Sequence, residues 1–272
     1  MSDPLRDVAA RLAAAGIDSA RTEARILIAH ADGDAKALET FITRRLAHEP
    51  IAYITGRKEF WSLDFEVGPG VLIPRPETEL LVEEALKAFP DKNAALSILD
   101  LGTGSGAIPI AFLSERPNAR GLGVEQSQDA MIWARKNIAR HQSRLQLQGD
   151  DWLMLGAGQF DIIFSNPPYI ESDVIPTLDP DVRDYEPLAA LDGGRDGLDA
   201  YRALAPMIAA RLKPGGYTFL EIGQGQEQKV PKILAASGLE TIRVAPDLAG
   251  IPRCVIAAPP GFSGKKALET QR

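Results

Sequence analysis

The sequence predicts an α/β fold in which a doubly wound, mostly parallel sheet follows a small helical region. From Ala95 onward, short apolar runs alternate with helical patterns. This alternation is typical of parallel strands joined by helices that cover both faces of a sheet. Before residue 48, the apolar residues recur at helical spacing only. The 272 residues suffice for one large domain or for a domain with a small partner.

The first 48 residues are predicted to form a helical bundle. Pro4 follows Ser2 and Asp3, which is typical of a capped first helical turn. Ser19 is expected to open a second helix, and a third apolar stripe runs through residues 38–46. A bundle of this size is too small to be stable alone, so we expect it to pack on the rest of the chain.

A change of period after the bundle predicts a β-hairpin. Apolar residues alternate with polar ones over 63–67, a Gly-Pro-Gly turn occupies 68–70, and 71–73 is expected to return. The proline-rich segment 74–78 then predicts a stiff connection into a helix over 79–88.

The remaining chain supplies the sheet. Strands are predicted over 97–101, 121–125, 144–147, 160–165, 217–222, 240–244 and 254–258, with helices including 127–140, 198–212 and 226–237 between them. We therefore expect an N-terminal domain of bundle and hairpin over 1–73 and a second domain over 74–258. The tail 259–272 has little apolar content and is expected to be mobile.

Composition limits the function classes. The formal charge of -7 disfavours broad binding to nucleic-acid phosphates. A single cysteine excludes a disulfide framework or a cysteine metal cluster. None of the three histidines is near a glycine-rich loop in sequence, so we expect neither a Ser-His-Asp hydrolase nor a bound metal. The N-terminus lacks signal-peptide features and no apolar run reaches membrane-spanning length, which predicts a cytoplasmic protein.

A glycine-rich loop follows the first predicted strand of the sheet. Gly102, Thr103, Gly104, Ser105 and Gly106 can form a tight turn that lets a ligand lie against the backbone beside a helix N-terminus.

Two acidic residues indicate which nucleoside this loop binds. Glu125 ends the second strand of the sheet, where a carboxylate can accept both hydroxyls of a ribose. Asp100 precedes the loop, where it would repel a pyrophosphate but suit a cationic sulfonium. These residues favour S-adenosylmethionine over a nicotinamide dinucleotide. After the third strand, Trp152 could stack on the adenine and Asp151 could accept from its amino group, although Trp152 could equally be a buried structural residue.

The tetrapeptide Asn166, Pro167, Pro168 and Tyr169 follows another apolar strand, at the sheet edge where open α/β sheets bind ligands. A planar amino group on an amide or a nucleobase is a poor nucleophile and must be oriented. The Asn166 side-chain oxygen and the Pro167 carbonyl can accept its two N–H groups, while the prolines stiffen the loop and Tyr169 stacks on the flat target. An ordinary Asn-Pro turn is the alternative.

With these residues assembled, the chain resembles the protein-(glutamine-N5) methyltransferases, which modify the Gly-Gly-Gln loop of peptide chain release factors. The resemblance extends almost from end to end. Its segments are 21–25, 49–56, 59–61, 72–79, the glycine-rich loop, 166–169, 186–187, 193–198, 214–216, 221–223 and 247–250.

The resemblance implies a class I S-adenosylmethionine-dependent methyltransferase sheet with a reversed last strand. It implies that Gly102–Gly106, Glu125, Trp152 and Asn166 contact the cofactor. It also implies that residues 166–169, Asn166 included, hold the glutamine amide. It also implies an N-terminal bundle that docks the release factor, and we expect a monomer. The family usually has aspartate at position 125, and the connector 31–37 is shorter and more acidic than expected.

Three other functions compete with this interpretation. The acceptor could be a glutamine of a ribosomal protein, or the amino group of a nucleobase, since nucleobase methyltransferases share the Asn-Pro-Pro-Tyr logic. The acidic charge gives little sign of a nucleic-acid substrate. A binding module with a vestigial cofactor pocket is the third alternative.

Overall fold

The N-terminal helices form a small core of their own. The computed structural model describes residues 3–149 and 158–261. Its first helices are α1 (Pro4–Ala14), α2 (Ala20–Ala31), α3 (Ala35–Leu46) and α4 (Ile51–Thr55). The predicted cap is confirmed, because the Asp3 side chain accepts from the Leu5 amide at 3.0 Å. Leu12, Leu27 and Ile42 are fully buried between these helices.

The acidic connector between α2 and α3 has a local structural role. Asp32 and Gly33 take left-handed backbone conformations, with φ of 46° and 83°. The Asp34 side chain then accepts from the Lys36 and Ala37 amides at 2.8 and 3.0 Å. Its negative charge also lies at the positive end of the α3 dipole. The acidic residues therefore reverse the chain and cap the next helix.

The predicted hairpin strand over 63–67 is confirmed, but its partner precedes it in the chain instead of following it. Strands β1 (Arg57–Phe60) and β2 (Leu63–Glu66) pair antiparallel and turn at Trp61 and Ser62. These two residues have φ of 55° and 58°, as a two-residue hairpin turn requires. No glycine marks this turn in the sequence. The Gly-Pro-Gly segment 68–70 is a separate turn that packs on Trp133: a Cβ on Gly68 would lie 2.3 Å from that side chain. Residues 71–73 form no strand.

All seven predicted strands of the large sheet are confirmed. They are β3 (Ser97–Leu101), β4 (Arg120–Val124), β5 (Leu145–Gln148), β6 (Phe160–Ser165), β7 (Leu212–Glu221), β8 (Glu240–Pro246) and β9 (Pro252–Ala258). Their order across the sheet is β5-β4-β3-β6-β7-β9-β8. Strand β9 is antiparallel to both of its neighbours, while the other pairs are parallel. The predicted reversal of the last strand is therefore confirmed.

Helices cover both faces of this sheet. They are α5 (Glu79–Ala88), α6 (Ala107–Glu115), α7 (Gln128–Arg140), α9 (Asp199–Arg211) and α10 (Lys229–Ala236), while the short helix α8 (Pro180–Arg183) lies in the connection between β6 and α9. Neighbouring residues of a strand point to opposite faces: Ile162 packs in the core beneath α5 and α6, whereas Ile163 packs beneath α9 and α10. In the described part of the chain, no helix is both long enough and apolar enough to cross a bilayer.

The hairpin packs on the core of the sheet. Phe60 and Phe65 are buried in the same apolar cluster as Leu81 of α5 and Phe112 of α6. Asn137 of α7 is fully buried and ties the hairpin to the glycine-rich loop: it accepts from the Glu66 amide at 2.7 Å and donates to the Glu66 and Ser105 carbonyls at 3.0 and 2.9 Å. A domain boundary after residue 73 stays a prediction.

Replacing Asn137 with Ala should lower the free energy of unfolding by about 3 kcal/mol, because it leaves buried backbone groups without partners. Urea unfolding followed by circular dichroism measures this change. Asn118→Ala is the matched control, because the Asn118 side chain makes one hydrogen bond, to the Asn93 carbonyl, at an exposed position. Its effect should stay within about 0.5 kcal/mol. Equal effects of the two substitutions would contradict the role of Asn137.

Candidate active site

The carboxyl ends of β3, β4 and β6 meet at one edge of the sheet. Leu101 pairs with Val124, and Asp100 pairs with Phe164, so the residues that follow each strand are neighbours. The Ser165 hydroxyl donates to the Leu101 carbonyl at 2.7 Å and fixes two of these strand ends together. A cavity of about 190 Å³ opens at this edge. Its lining includes Gly102–Ser105, Ala107, Ile108, Glu125–Ser127, Asn166–Pro168, Val71, Leu72, Arg75 and Thr78.

The glycine-rich loop is held to the neighbouring strand through its backbone. The amides of Gly102 and Thr103 both donate to the Val124 carbonyl, at 2.9 and 3.0 Å. Gly104 has φ of 56° and is open on the cavity side, where the nearest atom to an added Cβ would be 3.9 Å away. Gly106 begins α6 as its N-cap and is not among the lining residues. Four of the five predicted loop residues therefore face the cavity.

Glu125 connects the glycine-rich loop to the start of α7. Its Oε2 accepts from the Gly104 amide and its Oε1 from the Ser127 amide, both at 2.8 Å. Each carboxylate oxygen has a second lone pair, and the side chain lines the cavity. Glu125 is therefore fixed by backbone donors and can accept further hydrogen bonds from a ligand.

The Asn-Pro-Pro-Tyr motif, residues 166–169, meets the cavity at Asn166. Its Nδ2 donates to the Thr78 hydroxyl at 3.3 Å. Among residues 3–149 and 158–261, no donor engages the Asn166 Oδ1 or the Pro167 carbonyl. Asn166, Pro167 and Pro168 all line the cavity. Two acceptors of the predicted kind are thus present on one loop beside the glycine-rich turn.

Tyr169 has a different position from the rest of its motif. Tyr169 borders a second cavity, of about 90 Å³, that also touches Asn166, Leu72 and Arg75. Its hydroxyl donates to the Glu221 Oε1 at 3.1 Å. Burial and the neighbouring carboxylate raise the pKa of Tyr169 well above its ordinary value. The Tyr169 hydroxyl is therefore neutral near pH 7 and acts as a hydrogen-bond donor.

The segment 193–197 supports the motif from behind. The Gly193 amide donates to the Ile170 carbonyl at 2.8 Å, and the Ile170 amide donates to the Leu191 carbonyl at 3.0 Å. A Cβ on Gly193 would lie 2.8 Å from the Pro168 carbonyl oxygen, and a Cβ on Gly197 would lie 2.4 Å from that of Tyr169. Only glycine allows this close approach of two backbones.

The segment 74–78 closes the opposite side of the site. Arg75 forms an ion pair with Glu186, whose other oxygen accepts from the Ile73 amide at 3.2 Å. Thr78 is buried and donates to the Glu221 Oε2 at 2.6 Å. The residues of this segment that face the cavity are therefore held from two directions.

Comparison with known proteins places the chain in a family. It is 44% identical to the release factor glutamine methyltransferase of Caulobacter vibrioides over 90% of this chain and 92% of that protein. The chain belongs to the release factor glutamine methyltransferase family. The enzyme of the same name from Bradyrhizobium diazoefficiens is 42% identical over 93% of this chain and 92% of its own length.

Broader comparisons agree with the fold. A family profile described as the methyltransferase small domain matches residues 76–177. A solved methyltransferase from Pyrococcus furiosus matches with a TM-score of 0.53 at 20% identity, covering 79% of this chain and 95% of that one. The class I methyltransferase fold and the family resemblance predicted from the sequence are thereby confirmed.

Several predicted site residues lie elsewhere or outside the described structure. Trp152 and the neighbouring Asp151 fall in 150–157, outside the described residues. Residues 262–272 of the predicted mobile tail also fall outside them. None of the three histidines lines the cavity, and no metal-binding group of side chains occurs within the described ranges.

No role is predicted from the sequence for Thr78, Arg75, Glu186 or Glu221, although each lies in a segment that carries the family resemblance. Their positions depend on contacts between distant parts of the chain: Thr78 and Glu221 are 143 residues apart. The one signal that could have drawn attention to these four residues was their position in segments that match the family.

The sequence suggested that Asp100 lies beside the ligand, but in the structure Asp100 does not line the cavity. It is fully buried on β3, and its Oδ2 accepts from the Thr103 hydroxyl at 2.6 Å. Its Oδ1 has no hydrogen-bond partner among the described residues. Burial raises the pKa of Asp100 to about 7; the Thr103 hydrogen bond opposes this shift, and repulsion by Glu125 adds to it. Asp100 therefore supports the loop from below instead of meeting a ligand.

This raised pKa predicts a pH-dependent stability. The unfolded chain releases the Asp100 proton near pH 4 and the folded chain near pH 7, so the free energy of unfolding falls as pH rises through that window. The contribution of this group is at most about 1.4 kcal/mol per pH unit. Asp100→Asn has no ionisable group at this position. The free energy of unfolding of the variant relative to that of the parent should therefore increase from pH 5 to pH 8. Urea unfolding at both pH values measures the difference.

Asp173→Asn, at an exposed position, is the charge-matched control for Asp100→Asn. Asp173→Asn removes the same charge. Subtracting its effect on the free energy of unfolding from that of Asp100→Asn therefore leaves the part that arises from burial. An equal change between pH 5 and pH 8 for both variants would contradict the explanation.

Proposed function

We propose that this protein transfers a methyl group from S-adenosylmethionine to the side-chain amide nitrogen of the glutamine in the Gly-Gly-Gln motif of peptide chain release factors. The observation that carries the proposal is the Asn166 Oδ1, which is held at a cavity that also contains the glycine-rich loop and Glu125. Membership of the release factor glutamine methyltransferase family supports the same substrate.

The residues of the cavity fit the cofactor. The backbone of Gly102–Ser105 offers a surface on which the nucleoside can lie, and Glu125 retains lone pairs for ribose hydroxyls. When bound, S-adenosylmethionine supplies an electrophilic methyl group on a sulfonium. From the family resemblance we also assign Trp152 and Gly106 to this site, Trp152 as a stacking partner and Gly106 as the residue that begins α6.

The acceptor side of the reaction depends on orientation. The Asn166 Oδ1 and the Pro167 carbonyl accept the two amide hydrogens of the glutamine, so that the nitrogen lone pair is aimed at the methyl carbon. With the cofactor held by Gly102–Ser105 and Glu125, its sulfonium would supply the methyl group to this nitrogen and keep the electron pair of the broken sulfur–carbon bond, and the nitrogen would release one proton to solvent. Positioning supplies most of the acceleration. The Tyr169 hydroxyl is directed to Glu221, and the Tyr169 ring is assigned to stack on the glutamine amide.

The N-terminal domain, residues 1–73, is proposed to dock the release factor onto a monomer of this protein in the cytoplasm. The Tyr53 hydroxyl of α4 donates to the Val71 carbonyl at 2.5 Å, and Val71 lines the cavity. The Tyr185 hydroxyl donates to the Ala47 carbonyl at 2.6 Å. A protein bound by these helices would therefore lie close to Asn166.

Replacing Asn166 with Ala should reduce methylation of a purified release factor at least about 100-fold, because the glutamine amide loses one of its two acceptors. Cofactor affinity should change less than about threefold. Labelled S-adenosylmethionine measures the transfer, mass mapping identifies the acceptor, and calorimetry measures cofactor binding.

Asn118→Ala serves as the surface control for Asn166→Ala and should keep full activity. Full activity of Asn166→Ala would reject the proposed site. A methyl group on nucleic acid, on a ribosomal protein or on a glutamine outside Gly-Gly-Gln would reject the proposed substrate. Cofactor binding without any transfer by the parent protein would favour a binding module.

Replacing Glu125 with Ala should weaken S-adenosylmethionine binding roughly 10- to 100-fold, since charged hydrogen bonds contribute about 1.5–3 kcal/mol each. The rate at saturating cofactor should change much less. Glu125→Gln is the matched control, because it keeps the shape and one acceptor and should bind with an intermediate dissociation constant. An unchanged dissociation constant for Glu125→Ala would remove Glu125 from the cofactor site.

A further inference from the structure

Glu221 ends β7 behind the Asn-Pro-Pro-Tyr loop and does not line the cavity. It is 1% exposed. Its Oε2 accepts from the Thr78 hydroxyl at 2.6 Å and its Oε1 from the Tyr169 hydroxyl at 3.1 Å. Thr78 in turn is the partner of the Asn166 amide at 3.3 Å. A continuous chain of hydrogen bonds therefore runs from a buried carboxylate to the residue at the centre of the proposed site.

The donor and acceptor roles in this series of hydrogen bonds follow from which groups carry protons. A carboxylate can only accept, so the Thr78 hydroxyl must donate its single proton to Glu221. The Thr78 oxygen is then left only with lone pairs for Asn166, and it must face the amide NH₂ group. The Asn166 Oδ1 consequently faces the cavity. With the opposite direction, the NH₂ group would face the cavity and meet the N–H groups of a glutamine donor to donor.

We propose that Glu221 is a positioning residue that sets the polarity of Asn166 through the Thr78 hydroxyl. The inference rests on the proposed function, because the polarity matters only if Asn166 must accept from the acceptor amide. Glu221 itself touches neither the cavity nor the reacting atoms. Its role is to make one of two nearly isosteric orientations of the Asn166 amide the stable one.

The surroundings of Glu221 hold the two hydroxyls in place. The Gln226 Nε2 donates to the Tyr169 carbonyl at 3.1 Å, while the Gln226 Oε1 accepts from the Gly223 amide at 2.9 Å. The Tyr201 hydroxyl donates to the Glu221 backbone carbonyl at 2.8 Å. A Cβ on Gly223 would lie 3.0 Å from the Tyr169 ring. The carboxylate and its two donors are thus fixed by separate contacts, as a device that selects an orientation requires.

Glu221→Met tests the proposal by removing the acceptor while keeping an unbranched chain of similar length. The Thr78 proton then turns to the Asn166 Oδ1, and the amide reverses. We expect the turnover number for release factor methylation to fall about 10- to 100-fold, while the KM for the release factor and the cofactor dissociation constant change less than about threefold. A loss confined to KM or to cofactor binding would overturn the proposal.

Thr78 supplies an independent test that does not depend on the stability of Glu221→Met. Thr78→Val keeps the shape but removes the hydroxyl, and it should lower the turnover number as Glu221→Met does. Thr78→Ser restores the hydroxyl and should recover activity to within about threefold of the parent. Equal activity of the Val and Ser variants would show that the hydroxyl has no such role and would overturn the proposal.

A double-mutant cycle separates positioning from general support of the fold. Once Thr78→Val has broken the chain, Glu221→Met should have little additional effect on the turnover number, so the two effects should be strongly non-additive. Additive effects would overturn the proposal. Asn166→Ala is assayed in parallel: if it stays active, the proposed function fails, and if it alone is inactive while Glu221→Met and Thr78→Val are fully active, only the inference about Glu221 fails.

Discussion

The parallel register of β3 with β4 and β6 is the constraint on which the site depends. It brings Leu101, Val124 and Ser165 to one edge of the sheet, so three loops that are distant in sequence start beside one another. Further hydrogen bonds then join the strand ends, from the Gly102 and Thr103 amides to the Val124 carbonyl and from Ser165 to Leu101. Because the three loops share these anchors, a displacement of one strand would shift the cofactor side and the acceptor side together.

Close approach of backbones gives the site its precision. The loop 166–169 is backed by 193–197, where Gly193 and Gly197 leave no room for a Cβ. Side-chain contacts alone can slide as rotamers change, whereas two backbones in contact cannot. The Asn166 and Pro167 acceptors are thus attached to a loop supported from below by β6 and from behind by a second segment. A site that works through orientation requires this kind of support.

The sequence predicted the centre of the sheet well because strands β3, β6, β7 and β9 are mostly buried and contain short apolar runs. It predicted the glycine-rich loop, Glu125 and Asn166–Pro168 because each follows a strand directly. It failed at the hairpin, where Trp61 and Ser62 make a turn without glycine. It misplaced Asp100, whose side chain shares a strand face with Ile98 and points beneath the loop. The contact of Thr78 with Glu221 depends on tertiary packing and has no local signal.

Two buried acids, Asp100 and Glu221, lie behind the two halves of the site. Burial raises the pKa of both carboxyl groups. The hydrogen bond from Thr103 opposes this shift at Asp100, and those from Thr78 and Tyr169 oppose it at Glu221. Burying such groups costs stability that an apolar side chain would not cost. An apolar residue, however, cannot direct a hydroxyl proton. The two carboxyl groups each fix the hydroxyl of a threonine that lines the cavity. Stability is thereby exchanged for defined hydrogen-bond directions on both sides of the site.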